Sequence, residues 1–357
     1  MKKFLTLATA SSLALYMTAC SDSTSADDDP LKPASVYVFG SDYKTGELRW
    51  VGDDGVSEKS VQFNQDSKVV GVDGNLFVLE RLSADNLVLV DPSDNKVKWQ
   101  IDLDDASNPS DVVKANKDEV WVALEGAAKF VKVAVKDGKI TKTVKTDKFN
   151  QGKATTPNLV DFEVSGDTLF ALFQRSENYA YPAPGLLAMY KLKDGELLDT
   201  IKLAKKNPMA MGFANGKLYV ASQGEYNASY GTDADDARGI EVVDFAKKKT
   251  SMVVDGKKLG GGVYAFAVDP DGVAYAAIYK GYGDVPLAKV DLSEKSVKTV
   301  SDVSDVEGSL VFDDVDGVLY IGDRGSKGGL FSYDNGKVKK IGAPKDMLPV
   351  YGIALVR

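Results

Sequence analysis

The sequence predicts an all-β fold, a seven-bladed β-propeller of four-stranded antiparallel blades whose ring is closed by both chain ends. Three observations carry that prediction. Strand-like segments recur with a period of roughly 40 to 55 residues, the signature of a repeat architecture. Six complete units of one four-strand pattern cover residues 68–343. Single strands are left over at the two ends: SVYVFG, ELRWV and KSVQF before the units, PVYGIALV after them. Each unit alternates apolar and polar residues around Asp-Gly or Asn-Gly turns, so each reads as an antiparallel meander. A meander cannot bury its apolar faces alone, so the units must stack. Joining the two ends into a seventh blade then removes the exposed edges.

The units follow in order. In the first, residues 69–72 turn at Asp73-Gly74-Asn75 into LFVLE, and residues 87–90 lead through DPSDN into KVKWQIDL. The second runs SDVVKA, VWVALE, FVKVAV, ITKTVKT, and the third LVDFEV, TLFALF, LLAMYKL, LLDTIKL. The fourth is MAMGFA, LYVASQ, GIEVVDF, TSMVVD; the fifth VYAFAV, VAYAAI, LAKVDL, VKTVSDV; the sixth SLVFDD, VLYIGD, LFSYD, VKKIG.

Composition removes much chemistry. The 357 residues include one cysteine and no histidine, and the formal net charge is −8. Without histidine there is no Ser–His–Asp or Cys–His machinery and no His-ligated zinc or haem. One cysteine excludes an internal disulfide, a CxxC redox pair and a Cys-cluster zinc site. The acidic balance argues against nucleic acid as a partner.

The N-terminus speaks of location. Met1-Lys2-Lys3 is basic, and residues 4–17 (FLTLATASSLALYM) carry no charge. That run is short for a bilayer span and ends at small residues, as a secretory signal peptide does. Met17-Thr18-Ala19-Cys20 resembles a bacterial lipobox, which implies cleavage before Cys20 and its lipidation, with several acyl chains giving stable anchoring. The expected domains are a signal peptide (1–19), a lipidated flexible tether (20–33) and the propeller (34–357). Loss of Lys2 and Lys3 leaves the mature chain more acidic. Ser21 resembles the outer-membrane sorting signal of Gram-negative lipoproteins and implies an outer-membrane anchor, facing the periplasm or the cell surface. Residues 21–33 (SDSTSADDDPLKP) have tether composition; Asp27-Asp28-Asp29 is either a solvated linker or an aid to surface display.

The units resemble YVTN/NHL-type propeller repeats, through LYVAS at Leu218, VLYIG at Val318 and the third strands EVVD and AKVD. Asp42, Thr45, Gly46 and Trp50 also match the quinoprotein-like repeat, and Asp91 and Trp99 match it partly; the pattern fades later, so no quinone cofactor is implied. That repeat places Trp50 on an outermost strand, which would leave the closing blade with three strands or an unusual order.

Loop lengths select a face. Connections from first to second and from third to fourth strands are short turns, whereas several second-to-third loops are long and aromatic: 174–185, 223–238, 279–286 and 323–329. They share a face with the longer blade-to-blade segments 145–158 and 255–262, so binding residues would gather there. The candidate ligand-binding residues are Arg175, Tyr179, Tyr181, Tyr226, Tyr230, Arg238, Tyr279, Tyr282 and Arg324, with Lys280 and Lys327 beside them. Tyrosine offers a flat apolar body with a hydroxyl tip, and Arg or Lys recognises anions. Asp233, Asp235 and Asp236 are either a calcium-binding loop or a solvated acidic one; no other cofactor is expected.

The leading expectation is a non-catalytic cell-envelope lipoprotein that binds a small ligand or an outer-membrane protein partner on this face. Surface propeller lipoproteins that help TonB-dependent transporters capture siderophores look similar in plan, which implies an accessory role to an outer-membrane transporter. The resemblance of residues 42–50 to the outer-membrane β-barrel assembly lipoprotein implies an assembly scaffold as an alternative. Seven-bladed lactonases resemble the architecture too, which implies a hydrolase; Glu80, Glu125, Glu163, Glu225 and Glu307 are available, but no spacing pairs two as acid and base.

Overall fold

Two-residue turns set the blades. In Asp73-Gly74, Asn215-Gly216 and Asn335-Gly336 both residues have positive φ, the hairpin turn whose twist matches the right-handed twist of the flanking strands. The computed structural model describes residues 35–307, 309–326 and 328–357, and these form a seven-bladed β-propeller of antiparallel sheets. Blades 1 to 6 each take four consecutive strands. Their first strands, Ser67–Val72, Pro109–Lys114, Leu159–Ser165, Pro208–Ala214, Gly262–Asp269 and Leu310–Asp313, are innermost. Each touches the first strand of the next blade, and Val350–Val356 completes the circle by touching both Leu310–Asp313 and Ser67–Val72.

The seventh blade is built from both chain ends. Val350–Val356 is its inner strand and pairs antiparallel with Ser35–Ser41, which pairs with Gly46–Gly52. The fourth place is shared by two short segments, Gly55–Val56 and Val61–Phe63, both on the edge of Gly46–Gly52. Trp50 therefore sits on the third strand rather than the outermost one, and the blade keeps its fourth place because the chain folds back twice along one edge. A buried ion pair fastens this seam. The Arg49 guanidinium donates both Nε and Nη2 to the Glu47 carboxylate at 2.9 Å, and Glu47 also accepts the Leu348 amide at 2.9 Å. Such forked pairs add direction to charge.

Between blades the sheets pack through mixed aromatic and aliphatic layers. Blades 2 and 3 meet around Trp121, Phe130, Phe162 and Tyr190, whose rings stand edge to face at 5.0–5.4 Å, a geometry their quadrupoles favour. Two tryptophans tie neighbouring blades by their indole N–H: Trp99 donates to the Val135 carbonyl and Trp121 to the Leu192 carbonyl, each at 2.8 Å. Cys20, the tether and Lys327 lie outside the described residues.

Closure depends on a close backbone approach. A Cβ on Gly71 would stand 1.8 Å from the Leu355 carbonyl oxygen across the seam. Gly71→Ala must push blade 1 away from the closing strand, and overpacking of this kind costs about 1–3 kcal/mol. Chemical denaturation should show that loss, and deletion of 350–357 should abolish the cooperative transition.

Candidate functional site

The inner strands enclose a central cavity of about 500 Å³ that opens toward the long second-to-third loops. The blade-to-blade segments on this face carry two short helical elements with no sequence signal, a 3-10 turn at Asp147–Phe149 and one helical turn at Gly256–Leu259. Local chemistry explains the second. Asp255 caps it by accepting the Lys258 amide at 2.9 Å, and Gly260 ends it in a left-handed conformation, φ 87°, as such caps do.

The wall of the cavity is aromatic. Tyr181, Tyr226, Tyr264 and Tyr351 line it. Tyr264 stacks on Tyr279 at 5.5 Å, and Tyr279 meets Tyr226 edge to face at 6.1 Å. At the rim, the Arg324 guanidinium lies over the rings of Tyr43 (4.8 Å) and Tyr351 (5.3 Å) and donates from Nη2 to the Ser41 carbonyl. Its Nε stands 3.9 Å from Glu307, and its buried Nη1 has no hydrogen-bond partner. Burial pushes the phenols of Tyr181, Tyr226, Tyr264 and Tyr351 upward, so at neutral pH each keeps its proton and can donate. Burial also raises Glu307, against the opposing pull of Arg324.

The charges are distributed unevenly around the ring. At one level of the inner strands, fixed by pairing with the second strands, the seven blades present Lys68, Asp111, Asp161, Ala210, Ala265, Ser309 and Gly352. Blades 1 to 3 are thus charged and blades 4 to 7 uncharged. Above Lys68, Arg81 donates to Glu125 at 2.8 Å and to Asn108 at 3.0 Å and lies 3.8 Å from Asp66, which accepts the Tyr351 hydroxyl at 3.1 Å. The carboxylates of Asp111 and Asp161 have a second task. Each accepts a backbone amide of the next blade's inner strand, Phe162 at 2.9 Å and Met211 at 2.7 Å, beside irregularities in strand register at 159/161 and 208/210. Burial drives both pKa values up. Glu163, two residues beyond Asp161, is pushed up to about 8 by burial and then by Asp111.

The predicted residues divide into three groups. Tyr181, Tyr226, Tyr279 and Arg324 converge at the cavity or its rim. Tyr179, Tyr230 and Tyr282 point outward from loop tips, 96%, 80% and 81% exposed, and Lys280 is exposed as well. Arg175 and Arg238 brace their own surroundings: Arg175 donates to the Phe149 carbonyl and Gln151, Arg238 to Asp235 and the Glu225 carbonyl. The acidic loop does not converge on a cation. Asn227 donates to Asp233, Arg238 engages Asp235, and among the described residues no group of three or more acidic or sulfur ligands could hold a metal ion. Of the five glutamates, Glu80 accepts the Asn64 amide and Asn86, Glu225 pairs with Lys206, Glu125 with Arg81 and Glu307 faces Arg324, while Glu163 lies near Asp111. Lys68, Asp111, Asp161, Tyr264 and Tyr351 have no signal as site residues, because inner-strand positions alternate like any others, and Tyr43 and Arg81 lie in second-to-third loops too short to stand out.

No protein-family model and no curated protein matches the chain. The structure matches 1320 solved chains, so its architecture alone selects no function. Among them, a protein of unknown function from Bacteroides caccae has a TM-score of 0.52 and 13% identity over 91% of this chain and 99% of that one. Apo AztD from Citrobacter koseri has a TM-score of 0.55 and 12% identity over 91% and 98%. At such identity the shared property is the fold.

The raised Glu163 has a signed consequence. Between its ordinary value of 4.5 and about 8, the folded chain holds a proton that the unfolded chain has released, so this group's contribution to stability declines as pH rises through that window. Glu163→Gln removes the titration. Its stability relative to the parent should therefore increase from pH 5 to pH 8, read from urea midpoints at each pH.

Proposed function

We propose that this chain is a non-catalytic, lipid-anchored envelope protein that takes a small ligand into its central cavity and docks to a membrane protein through the loop tips around the mouth. One observation carries the docking part. Tyr43, Leu82, Tyr179 and Tyr230, from four different blades, are exposed bulky residues held at positive φ, between 42° and 64°. All four sit in second-to-third loops of the same face. Bulky side chains are rare there because Cβ crowds the backbone. Tyr179 is the clearest case. Glu177 and Ala180 exchange both backbone hydrogen bonds, at 2.9 and 3.0 Å, around Asn178-Tyr179, and both of those residues have positive φ. This hairpin favours Asn-Gly, and a tyrosine stands where glycine would be easiest. Strain spent to present an apolar ring to water is characteristic of recognition surfaces.

An outer-membrane transporter is the partner this reading favours, since the lipobox-like Cys20 and the Ser21 after it point to that membrane. The acidic side of the cavity disfavours anionic ferric chelates as cargo, so the transporter partnership is retained without siderophore capture. Among the described residues of this face, no acid–base pair faces a free nucleophile, so no hydrolase mechanism is proposed.

Tyr179→Gly combined with Tyr230→Gly should leave stability unchanged or raise it by about 1 kcal/mol per site, while abolishing crosslinking to the membrane partner in cells. Full crosslinking by the double variant would remove the docking reading. Cys20→Ser should move the protein from the membrane to the soluble fraction; retention on the membrane would remove the lipid anchor.

A further inference from the structure

We infer that the ligand of the central cavity is an organic cation, whose protonated amine is received by Asp111 and Asp161, with Glu163 two residues beyond Asp161 on the same strand, while its body lies against the tyrosine wall. The inference rests on the reading that the cavity is the ligand site, and it specifies the class of ligand.

Charge accounting comes first. Arg81 is engaged by Glu125 and Asp66. Among the described residues that leaves Lys68 as the one cation beside the three carboxyl groups, and its ammonium donates to the Ser110 carbonyl at 3.2 Å. Among the described residues Asp111, Asp161 and Glu163 form no ion pair. Buried carboxyls without a counter-ion are costly when ionised and instead retain protons. A ligand ammonium would supply the missing charge.

The second observation is independent of the acids. Gln223, fully buried and lining the same cavity, accepts both the Tyr226 hydroxyl and the Asn207 amide on Oε1, each at 3.2 Å. This fixes the orientation of the amide and leaves its Nε2 donor with no partner. An unmet buried donor costs about 1–3 kcal/mol, and an acceptor on the ligand would satisfy it. Gln223 follows the second strand of blade 4, at the loop end of the cavity and next to the blade that carries Asp161 and Glu163. The ligand is thus expected to be bipolar, with an amine toward blades 2 and 3 and an acceptor toward blade 4. The rings of Tyr181, Tyr226, Tyr264 and Tyr351 line the same cavity and suit a cation by their π faces.

Binding should release protons. The groups facing the three carboxyls are Lys68 from blade 1, Arg81 and Glu125 above, and Tyr264 and Tyr351 across the cavity. The tyrosines stay protonated in this range, and burial and then Arg81 lower Lys68. An arriving ammonium favours the ionised carboxyls, so affinity should rise with pH up to about 8, where Glu163 titrates.

Calorimetry on the full chain tests this with 4-aminobutanol, which carries one amine and one acceptor, against 1,4-butanediol as the neutral match. The amine is expected to bind with net proton release, read from buffers of different ionisation enthalpy. Glu163→Gln and Asp161→Asn should each weaken it at least tenfold; Asn at 161 can still accept the Met211 amide, so the blade contact is kept. Lys68→Met, which removes the competing cation, should leave binding unchanged or tighter. Equal binding of the diol, loss of binding in Lys68→Met, or no binding of the amine would each overturn the cation. A neutral or anionic compound that copurifies and is lost in Gln223→Leu would overturn the cation and leave the cavity reading intact. A copurified compound unaffected by Gln223→Leu and by the tyrosine variants would remove the cavity reading itself.

Discussion

The pairing of Val350–Val356 with Ser35–Ser41 is the contact on which the rest depends. Each blade leaves two apolar faces that only neighbours can cover, so an open ring would expose a face at each end and an unpaired inner edge. The two strands are about as far apart in sequence as the described chain allows, so the loop-closure entropy falls on this one contact. Its reinforcements are correspondingly specific: the Arg49–Glu47 fork, the Leu348 amide on Glu47, and the glycine at 71 that admits the Leu355 carbonyl. A closed ring makes the inner strands a rigid frame, and that frame fixes the distances across the cavity.

The same frame explains why charges are tolerated near the axis. Where the inner strands shift register, an amide is turned away from its ladder and needs an acceptor. Asp111 supplies it for Phe162 and Asp161 supplies it for Met211. A serine or asparagine could accept as well. Aspartate meets the structural need and also places a carboxyl in the cavity, so the structural role and the proposed recognition role coincide in two residues. Glu163 makes no such contact with a neighbouring blade, and its presence in the same cluster is not explained by blade packing.

The architecture was legible because it is periodic. Turns such as Asp73-Gly74 and Asn215-Gly216 announce themselves through φ preference, and the alternation around them repeats six times. The expanded loops were legible for a similar reason, and Tyr181, Tyr226, Tyr279 and Arg324 do gather at the mouth. Arg175 and Arg238 show the limit: a cation in a long loop is as useful for holding that loop as for holding a ligand, and sequence cannot separate the two. The cavity floor was illegible. Lys68, Asp111 and Asp161 occupy equivalent levels in consecutive blades, but register shifts of one residue hide that equivalence from any count along the chain. The position of Trp50 failed for a related reason, since two short segments sharing one edge leave no periodic trace.

Exposed strain and buried charge answer different questions about this face. The ring of Tyr43, Leu82, Tyr179 and Tyr230 lies outside the cavity mouth, and its side chains are too exposed to hold a molecule seated below. The cavity, conversely, has polar atoms that no flat partner could reach, among them Gln223 Nε2. On the proposed reading, two recognition surfaces are stacked on one axis. Arg324 stands where they meet: its guanidinium bridges Tyr43 of the outer ring and Tyr351 of the inner wall. A partner that moves Tyr43 must disturb that stack, and Tyr351 in turn donates to Asp66 beside Arg81. The rim and the cavity wall thus share one chain of contacts, from Tyr43 through Arg324 and Tyr351 to Asp66.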